Sequence, residues 1–369
     1  MAQSGKRKIY LQQDVLTAAR ERMAFVFGEF DSIAVGVSGG KDSTVLAHLA
    51  LSEARRRKRQ IALYFVDAEM IHQATRDAVR YLMDLYPDNT RKLWLQVPYW
   101  LTENHAGIHG EPIIPWDPQR EADWMRPREP DSIHEPFWES RGIRTVRHGM
   151  QREFERTFER TAFLIGLRAD EHGQRYNAVT RSAGYRDVLW STAAASGRGN
   201  VNFYPLYDWA TSDVWRYIHD EGLAYNRIYD YQWMLGRQMR DMRIASLVNV
   251  HNAQSLTDLQ RFEPRTYDRL LARVPGIELA ALYGREGKLL KAAELPGRFP
   301  SWMAYRAYLL RTCPDERLRQ RCEAQPPATE AEARYQCKRL LLNDKAGALT
   351  PPSKPKSRKD VVNKWRNLL

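Results

Sequence analysis

The stretch Ala34-Val-Gly-Val-Ser-Gly-Gly-Lys-Asp-Ser-Thr-Val-Leu-Ala-His48 decides the fold. Ile33 to Val37 has the length and β-branched content of a buried parallel strand. Gly39 and Gly40 then let the backbone turn sharply and let a bulky anion approach its N–H groups with no Cβ in the way. Ser43 and Thr44 open an amphipathic segment, so the free amides and positive dipole end of the next helix point at that anion.

Ser38, Lys41 and Ser43 add hydroxyl and ammonium donors within the same turn. The spacing is not that of the common P-loop, which needs Gly, four residues, then Gly-Lys and Ser or Thr. Ser38-Gly-Gly-Lys-Asp-Ser43 instead resembles the PP-loop of the N-type ATP pyrophosphatases. That resemblance implies a grip on the pyrophosphate of ATP, with the α-phosphorus left open to attack.

Around this centre the composition sets bounds. A chain of 369 residues, 43% hydrophobic, is long enough for a substantial core and about two domains. No apolar run approaches the ~20 residues of a membrane helix, and Met1 to Tyr10 is polar and basic, so the sequence reads as cytoplasmic with no membrane contact. Cys313, Cys322 and Cys337 form neither a disulfide framework nor a CxxC pair. A net charge of +12 points to polyanions: nucleotide, nucleic acid or an acidic partner. Basic residues cluster at Arg55 to Arg59, read as a helix end, and again from Lys354 to Arg366.

Downstream, strands alternate with helices, which predicts a parallel sheet covered on both faces and an α/β, Rossmann-like nucleotide-binding fold. A helix over 10–30 comes first. Ile61 to Val66 is the second strand and ends at Asp67-Ala-Glu69; a helix from Thr75 to Leu85 and a third strand from Leu93 to Val97 follow. A carboxylate at such a strand end suits a ribose, an adenine amino group or a magnesium ion, and equally suits capping the next helix. Asp67 is thus a candidate nucleotide contact, and Asp42 and Glu69 are candidate magnesium ligands.

From Pro98 to Gly149 the alternation breaks down. Recurrent prolines with Trp100, Trp116, Trp124 and Trp138 describe an ordered insertion whose aromatics pack as a lid or stack on a base or partner. His105, His109, His134 and His148 lie here without metal-ligand spacing. Regular structure resumes with a helix over 154–160 and a fourth strand, Ala162 to Ile165, running into Gly166-Leu-Arg-Ala-Asp-Glu171. Arg168 at that strand end offers a guanidinium fork to phosphate oxygens. Arg181 and the Gly197-Arg-Gly199 turn fall in the next loop, and a helix capped at Thr211 or Ser212 follows Pro205 to Trp209.

Four landmarks in this order, Ser38 to Ser43, Val66-Asp67, Gly166 to Glu171 and Pro205 to Trp215, resemble the phosphoadenosine-phosphosulfate reductase and sulfate adenylyltransferase small-subunit superfamily. The resemblance spans roughly residues 30–220. It implies an adenine-nucleotide α-hydrolase fold, phosphate contacts from Ser38, Gly39, Gly40, Lys41, Asp42, Ser43 and Gly166, and catalytic roles for Lys41 and Arg168. The reductases of that superfamily use a cysteine in a C-terminal Glu-Cys-Gly-type motif, and many bind an iron–sulfur cluster through paired cysteines. Neither pattern occurs here, so no cluster is expected. Cys337, in the basic run Arg334-Tyr-Gln-Cys-Lys-Arg339, is a thiol whose neighbours would lower its pKa.

Beyond residue 220 the chain reads as helical and basic. Met239 to Ser246, Phe262 to Tyr267, Leu270 to Gly276 and Trp302 to Leu309 resemble the subgroup typified by the prophage immunoglobulin-binding regulator IbrA and by the reductase-like proteins encoded beside type IV CRISPR systems. That implies ATP binding, a mobile-element or defence setting, and a ParB-like or CRISPR-associated protein partner. The expected layout is an N-terminal helix over 1–30, a nucleotide-binding domain over 31–220, a helical domain over 221–345 and a basic tail over 346–369. The tail ends in Val361-Val-Asn-Lys-Trp365, a solvated helix or a docking peptide for nucleic acid or protein. The leading expectation is cleavage of Mg-ATP between the α- and β-phosphates, with water or an acceptor as attacker. A nucleotide-sensing assembly protein that binds nucleic acid, a ribonucleoprotein or a protein without turnover is the second reading, and a sulfonucleotide reductase with a displaced cysteine is the third.

Overall fold

The computed structural model describes residues 12–101, 113–135, 147–171, 175–176, 179, 184–239, 242–248, 253–274, 277, 295–313 and 315–341. Arg181, His105, His109, Trp138 and the basic tail lie outside them. By its internal contacts the chain forms two compact units. One is Met1–Leu101, Ile114–Leu247 and Asp258–Arg273; the other is Thr102–Ile113, Val248–Thr257 and Val274–Leu369.

The first unit is built on a six-stranded sheet: β1 (Ser32–Gly36), β2 (Ile61–Val66), β3 (Thr90–Leu95), β4 (Thr161–Leu164), β5 (Ser191–Ala193) and β6 (Val201–Phe203), in the order β3-β2-β1-β4-β6-β5. β1 lies at its centre, paired in parallel with β2 through Val35↔Leu63 and with β4 through Ala34↔Phe163. The fold is α/β and Rossmann-like. Helix α1 (Val15–Glu29) precedes β1; α2 (Lys41–Arg56) joins β1 to β2; α3 (Gln73–Asp84) lies between β2 and β3; α4 (Arg147–Arg156) precedes β4. The apolar strand runs are buried because both faces carry helices: Val35, Leu63, Phe163 and Leu164 are all fully enclosed.

The order of connections fixes where the sheet opens a crevice. After β1 the chain moves outward to β2 and β3, then returns to the other side of β1 as β4. The loops after β1 and β4 therefore diverge at a topological switch point, which leaves a crevice at the carboxyl ends of the strands.

Several boundaries differ from the sequence reading. The sheet is not wholly parallel: β5 runs antiparallel to β6, joined through a turn in which Gly197 and Gly199 take φ of +73° and +72°. Only glycine adopts that conformation without strain. β3 begins at Thr90, and α4 ends at Arg156, where a helix over 154–160 was expected. Phe154 and Phe158 instead form an aromatic chain with Phe163 of β4, centroids 5.3 and 5.8 Å apart.

The remaining helices of this unit include α5 (Thr211–Asp220) and α6 (Ile228–Met234); α7 (Ala253–Phe262) and α8 (Pro264–Arg273) follow. The N-cap of α5 is Ala210, not Thr211 or Ser212, and the Asp213 carboxylate accepts the Ala210 N–H at 2.7 Å. The second unit contains α9 (Trp302–Thr312), α10 (Glu316–Glu323) and α11 (Glu330–Leu341), so the C-terminal region is helical. Among the described residues no helix is long and apolar enough to cross a membrane.

Candidate functional site

The turn after β1 is held in its open shape from three sides. Gly39 has φ of +72°, and a Cβ there would lie 2.8 Å from Thr75 Cγ2, so the position is closed to other residues on both counts. The Gly39 carbonyl accepts the Asn226 side-chain amide at 3.1 Å, which also donates to Thr75 Oγ1 at 2.9 Å. Within the loop, the Ser38 and Ser43 hydroxyls lie 3.0 Å apart, Gly40 N donates to Ser38 Oγ at 3.3 Å, and Ser43 Oγ donates to the Gly40 carbonyl at 2.9 Å.

The cleft beside this loop has a volume of about 570 Å³. Ser38, Gly40, Lys41, Asp42 and Ser43 form one wall, and Gly166, Arg168, Asp170, Glu171 and Arg175 form another. Gly166 is needed for the close approach: a Cβ would come within 3.1 Å of Ser43 N and 3.2 Å of Asp42 C, both backbone atoms. Asp42 ties the two walls together. Lys41 Nζ reaches its Oδ2 at 3.1 Å, and Arg168 Nε reaches its Oδ1 at 2.5 Å. Arg168 is 3% exposed and also contacts the Trp209 carbonyl and Glu171 at 3.4 Å, so its plane is fixed. The cleft thus offers an ammonium, a guanidinium, two hydroxyls and the N-terminus of α2 to one anionic chain.

The structure does not bring Asp67 and Glu69 to this cleft. Both are fully buried among other partners. Arg126 Nη2 lies 2.8 Å from each Asp67 oxygen, and Trp94 Nε1, Gln96 Nε2 and Glu69 N also donate to that carboxylate at 2.8–2.9 Å. Glu69, in a left-handed backbone with φ of +60°, accepts from Arg273 Nε at 2.7 Å, Trp116 N at 2.8 Å and Met125 N at 3.2 Å. These carboxylates fasten the tryptophan-bearing insertion to the sheet. Trp116 is fully enclosed, edge-on to Trp124 at 5.4 Å, with Arg126 over its ring at 4.9 Å.

The same contacts bear on magnesium. Among the described residues no group of three or more His, Cys, Asp or Glu could hold a metal ion. Of the two candidate ligands, Asp42 is already shared by two cations and Glu69 lies in the sealed block. Among the described residues, the surroundings of Asp42 and Glu69 do not fit a protein-held magnesium ion.

Cys337 is buried in α11, its thiol 3.6 Å from the Trp302 carbonyl. Burial pushes that thiol up to about 12, opposite to the lowering expected from its basic neighbours; Arg306 offsets only part of the desolvation.

Sequence reading missed Asn226 and Tyr229. Tyr229 lines the cleft and its hydroxyl accepts the Lys41 backbone N–H at 3.0 Å. Nothing local betrays either residue, because their partners are more than 150 positions away.

The phosphoadenosine phosphosulfate reductase domain matches residues 32–236, and a domain of unknown function (DUF3440) matches residues 236–325. The uncharacterized protein YbdN of Escherichia coli K12 is 29% identical over 328 residues, 84% of this chain and 78% of its own length. Sulfate adenylyltransferase subunit 2 of Nocardia farcinica is 27% identical over 237 residues, 59% of this chain and 64% of that protein. The crystal structure of phosphoadenylyl-sulfate reductase from Candida auris in its phosphate complex is 15% identical, covering 65% of this chain and 97% of that one, with a TM-score of 0.35.

Proposed function

Since the chain belongs to the phosphoadenosine phosphosulfate reductase domain family, we propose that it binds ATP in the cleft between the turn after β1 and the loop after β4 and cleaves it between the α- and β-phosphates. The observation that carries this reading is the convergence of Lys41 and Arg168, from the segments after β1 and β4, on Asp42 where the two walls of the cleft meet. In the proposed reaction an acceptor oxygen, or water, attacks the α-phosphorus in line. The bond from that phosphorus to the bridging oxygen breaks, and its electron pair leaves with pyrophosphate. The acceptor loses its proton and gains the adenylyl group. Lys41, Arg168 and the amides at the start of α2 stabilise charge gathering on the leaving pyrophosphate. Ser38, Gly39, Gly40, Ser43, Gly166 and the backbone N–H of Asp42 hold the phosphate chain. Asp67 and Glu69 take no part, their oxygens being committed elsewhere.

Incubation with ATP labelled at the α-phosphate, in buffer containing magnesium, tests this. AMP or an adenylated product with unlabelled pyrophosphate is the expected outcome; ADP would overturn it. A second reading is binding without turnover, favoured by the pairing of both cations with Asp42, which lowers the charge they can lend to a leaving group. Tight binding of ATP that stays intact, with nucleic acid present or absent, would select it. Sulfonucleotide reduction through Cys337 is disfavoured by the high pKa of that enclosed thiol. The setting we infer is a mobile-element or CRISPR-associated one with a nucleic-acid, ribonucleoprotein or ParB-like partner, on the strength of the subgroup resemblance and the +12 net charge.

A further inference from the structure

The first amides of a helix have no partner within it. In α2 the first of them, Lys41 N, donates to the hydroxyl of Tyr229, 188 positions later in the chain. That tyrosine is 4% exposed and is held on every side. Its ring stands edge-on to Trp215 at 5.1 Å and 89°, and Lys41 Nζ lies over its face, 5.5 Å from the centroid. Three residues earlier Asn226 grips the Gly39 carbonyl, and its own Oδ1 accepts the Ile228 N–H at 3.1 Å. The hydroxyl therefore cannot shift without moving the turn that carries it.

A phenol oxygen accepts and donates. Its acceptor side is used by Lys41, which leaves the hydrogen, in a group that borders the cleft. Burial, with Asp42 and Glu171 nearby, raises the Tyr229 pKa far enough that it stays protonated throughout the physiological range. We propose that Tyr229 is a phosphate-contacting residue: its hydroxyl takes the Lys41 amide and donates its own proton to a non-bridging oxygen of the bound triphosphate or pyrophosphate. The inference rests on the reading of the cleft as an ATP site. It adds a phenol donor to the cations, serine hydroxyls and α2 amides already in the cleft, one that Asp42 does not neutralise.

The opposite role makes the opposite forecast. Were the hydroxyl only a placeholder that a phosphate displaces, its removal would free the Lys41 amide and leave binding equal or tighter. The test compares the full chain with Tyr229→Phe, using ATP and inorganic pyrophosphate as probes in equilibrium dialysis. The variant should bind both about 10- to 100-fold more weakly, the range for losing one hydrogen bond to a charged group. Equal or tighter binding by the variant overturns the proposal while leaving the ATP site intact. Failure of the unsubstituted protein to bind either probe removes the site reading and this proposal with it.

Should Tyr229→Phe unfold, 3,5-difluorotyrosine installed at position 229 keeps the oxygen and lowers its pKa. The ratio of the variant's pyrophosphate affinity to that of the unsubstituted protein, in which the ligand's own ionisations cancel, should then fall as pH rises through ionisation of that phenol. A ratio that does not change with pH would sink the assignment.

Discussion

β1 and β2 lie side by side, run in parallel and end at the same edge of the sheet, yet the residues after them meet opposite fates. After β1, Ser38, Lys41 and Ser43 border an open cleft. After β2, Asp67 and Glu69 are fully enclosed and matched by Arg126 and Arg273. The sheet places both groups at the edge where ligands bind. What separates them is whether another part of the chain packs over the strand end and encloses it. The 113–135 segment and α8 do so over β2, whereas over β1 glycines at 39 and 166 keep the backbones close and the mouth clear.

On the proposed reading the sealed block is a stability element and the cleft a functional one, and substitutions should separate them. The largest effect is expected for Glu69→Ala. It strands Arg273, 2% exposed, as a buried cation, and removing one partner of such a pair costs about 3–5 kcal/mol. Urea unfolding reads this directly, and a loss under about 1 kcal/mol would break the comparison. Lys41→Ala should instead weaken nucleotide binding or turnover by about 2–4 kcal/mol in transition-state terms. Its fold should hold, because Asp42 keeps Arg168. Equal activity with lowered stability would exchange the roles of the two regions.

Gly166→Ala probes the seam between β1 and β4. Its new methyl meets backbone at 3.1 Å, so about 1–3 kcal/mol of stability and part of the nucleotide affinity should go together. His48 sharpens the contrast further. It lies on the same helix as Lys41, buried with the Tyr217 hydroxyl at 2.8 Å from Nδ1, and the charge of Glu221 offsets only part of its desolvation. Desolvation lowers its pKa from 6.5, so the folded protein binds this proton less readily than the unfolded chain. The stability it contributes is present above pH 6.5 and is lost as pH falls from there through the folded-state pKa. His48→Gln should flatten that part of the stability–pH curve, the smallest of these effects. An unchanged slope would assign it to other groups.

These residues also show what a sequence discloses. The strands around β1 and the turn after it were legible because apolar runs, paired glycines and a cluster of donors are local properties. Arg168 was legible too, being the first cation after β4. The short edge strand β5 was not: Ser191-Thr-Ala193 has no apolar alternation and gains its pairing only from β6. The positions of Asp67 and Glu69 at a strand end were correct, but their surroundings depended on Arg126 and Arg273, drawn from an irregular insertion and a distant helix. Asn226 and Tyr229 belong to the same class, ordinary residues in their own stretch whose importance comes from what they touch.

The grip of Asn226 on Gly39 and of Tyr229 on Lys41 has a consequence for timing during synthesis. A chain emerging from the ribosome presents the turn after β1 early, and β4 and β6 extend the sheet beside it. The two residues that hold the turn open emerge only after both. A half-made chain can therefore have its central strands in register and still lack a finished cradle, so competence for nucleotide should switch on late and abruptly rather than grow with the sheet.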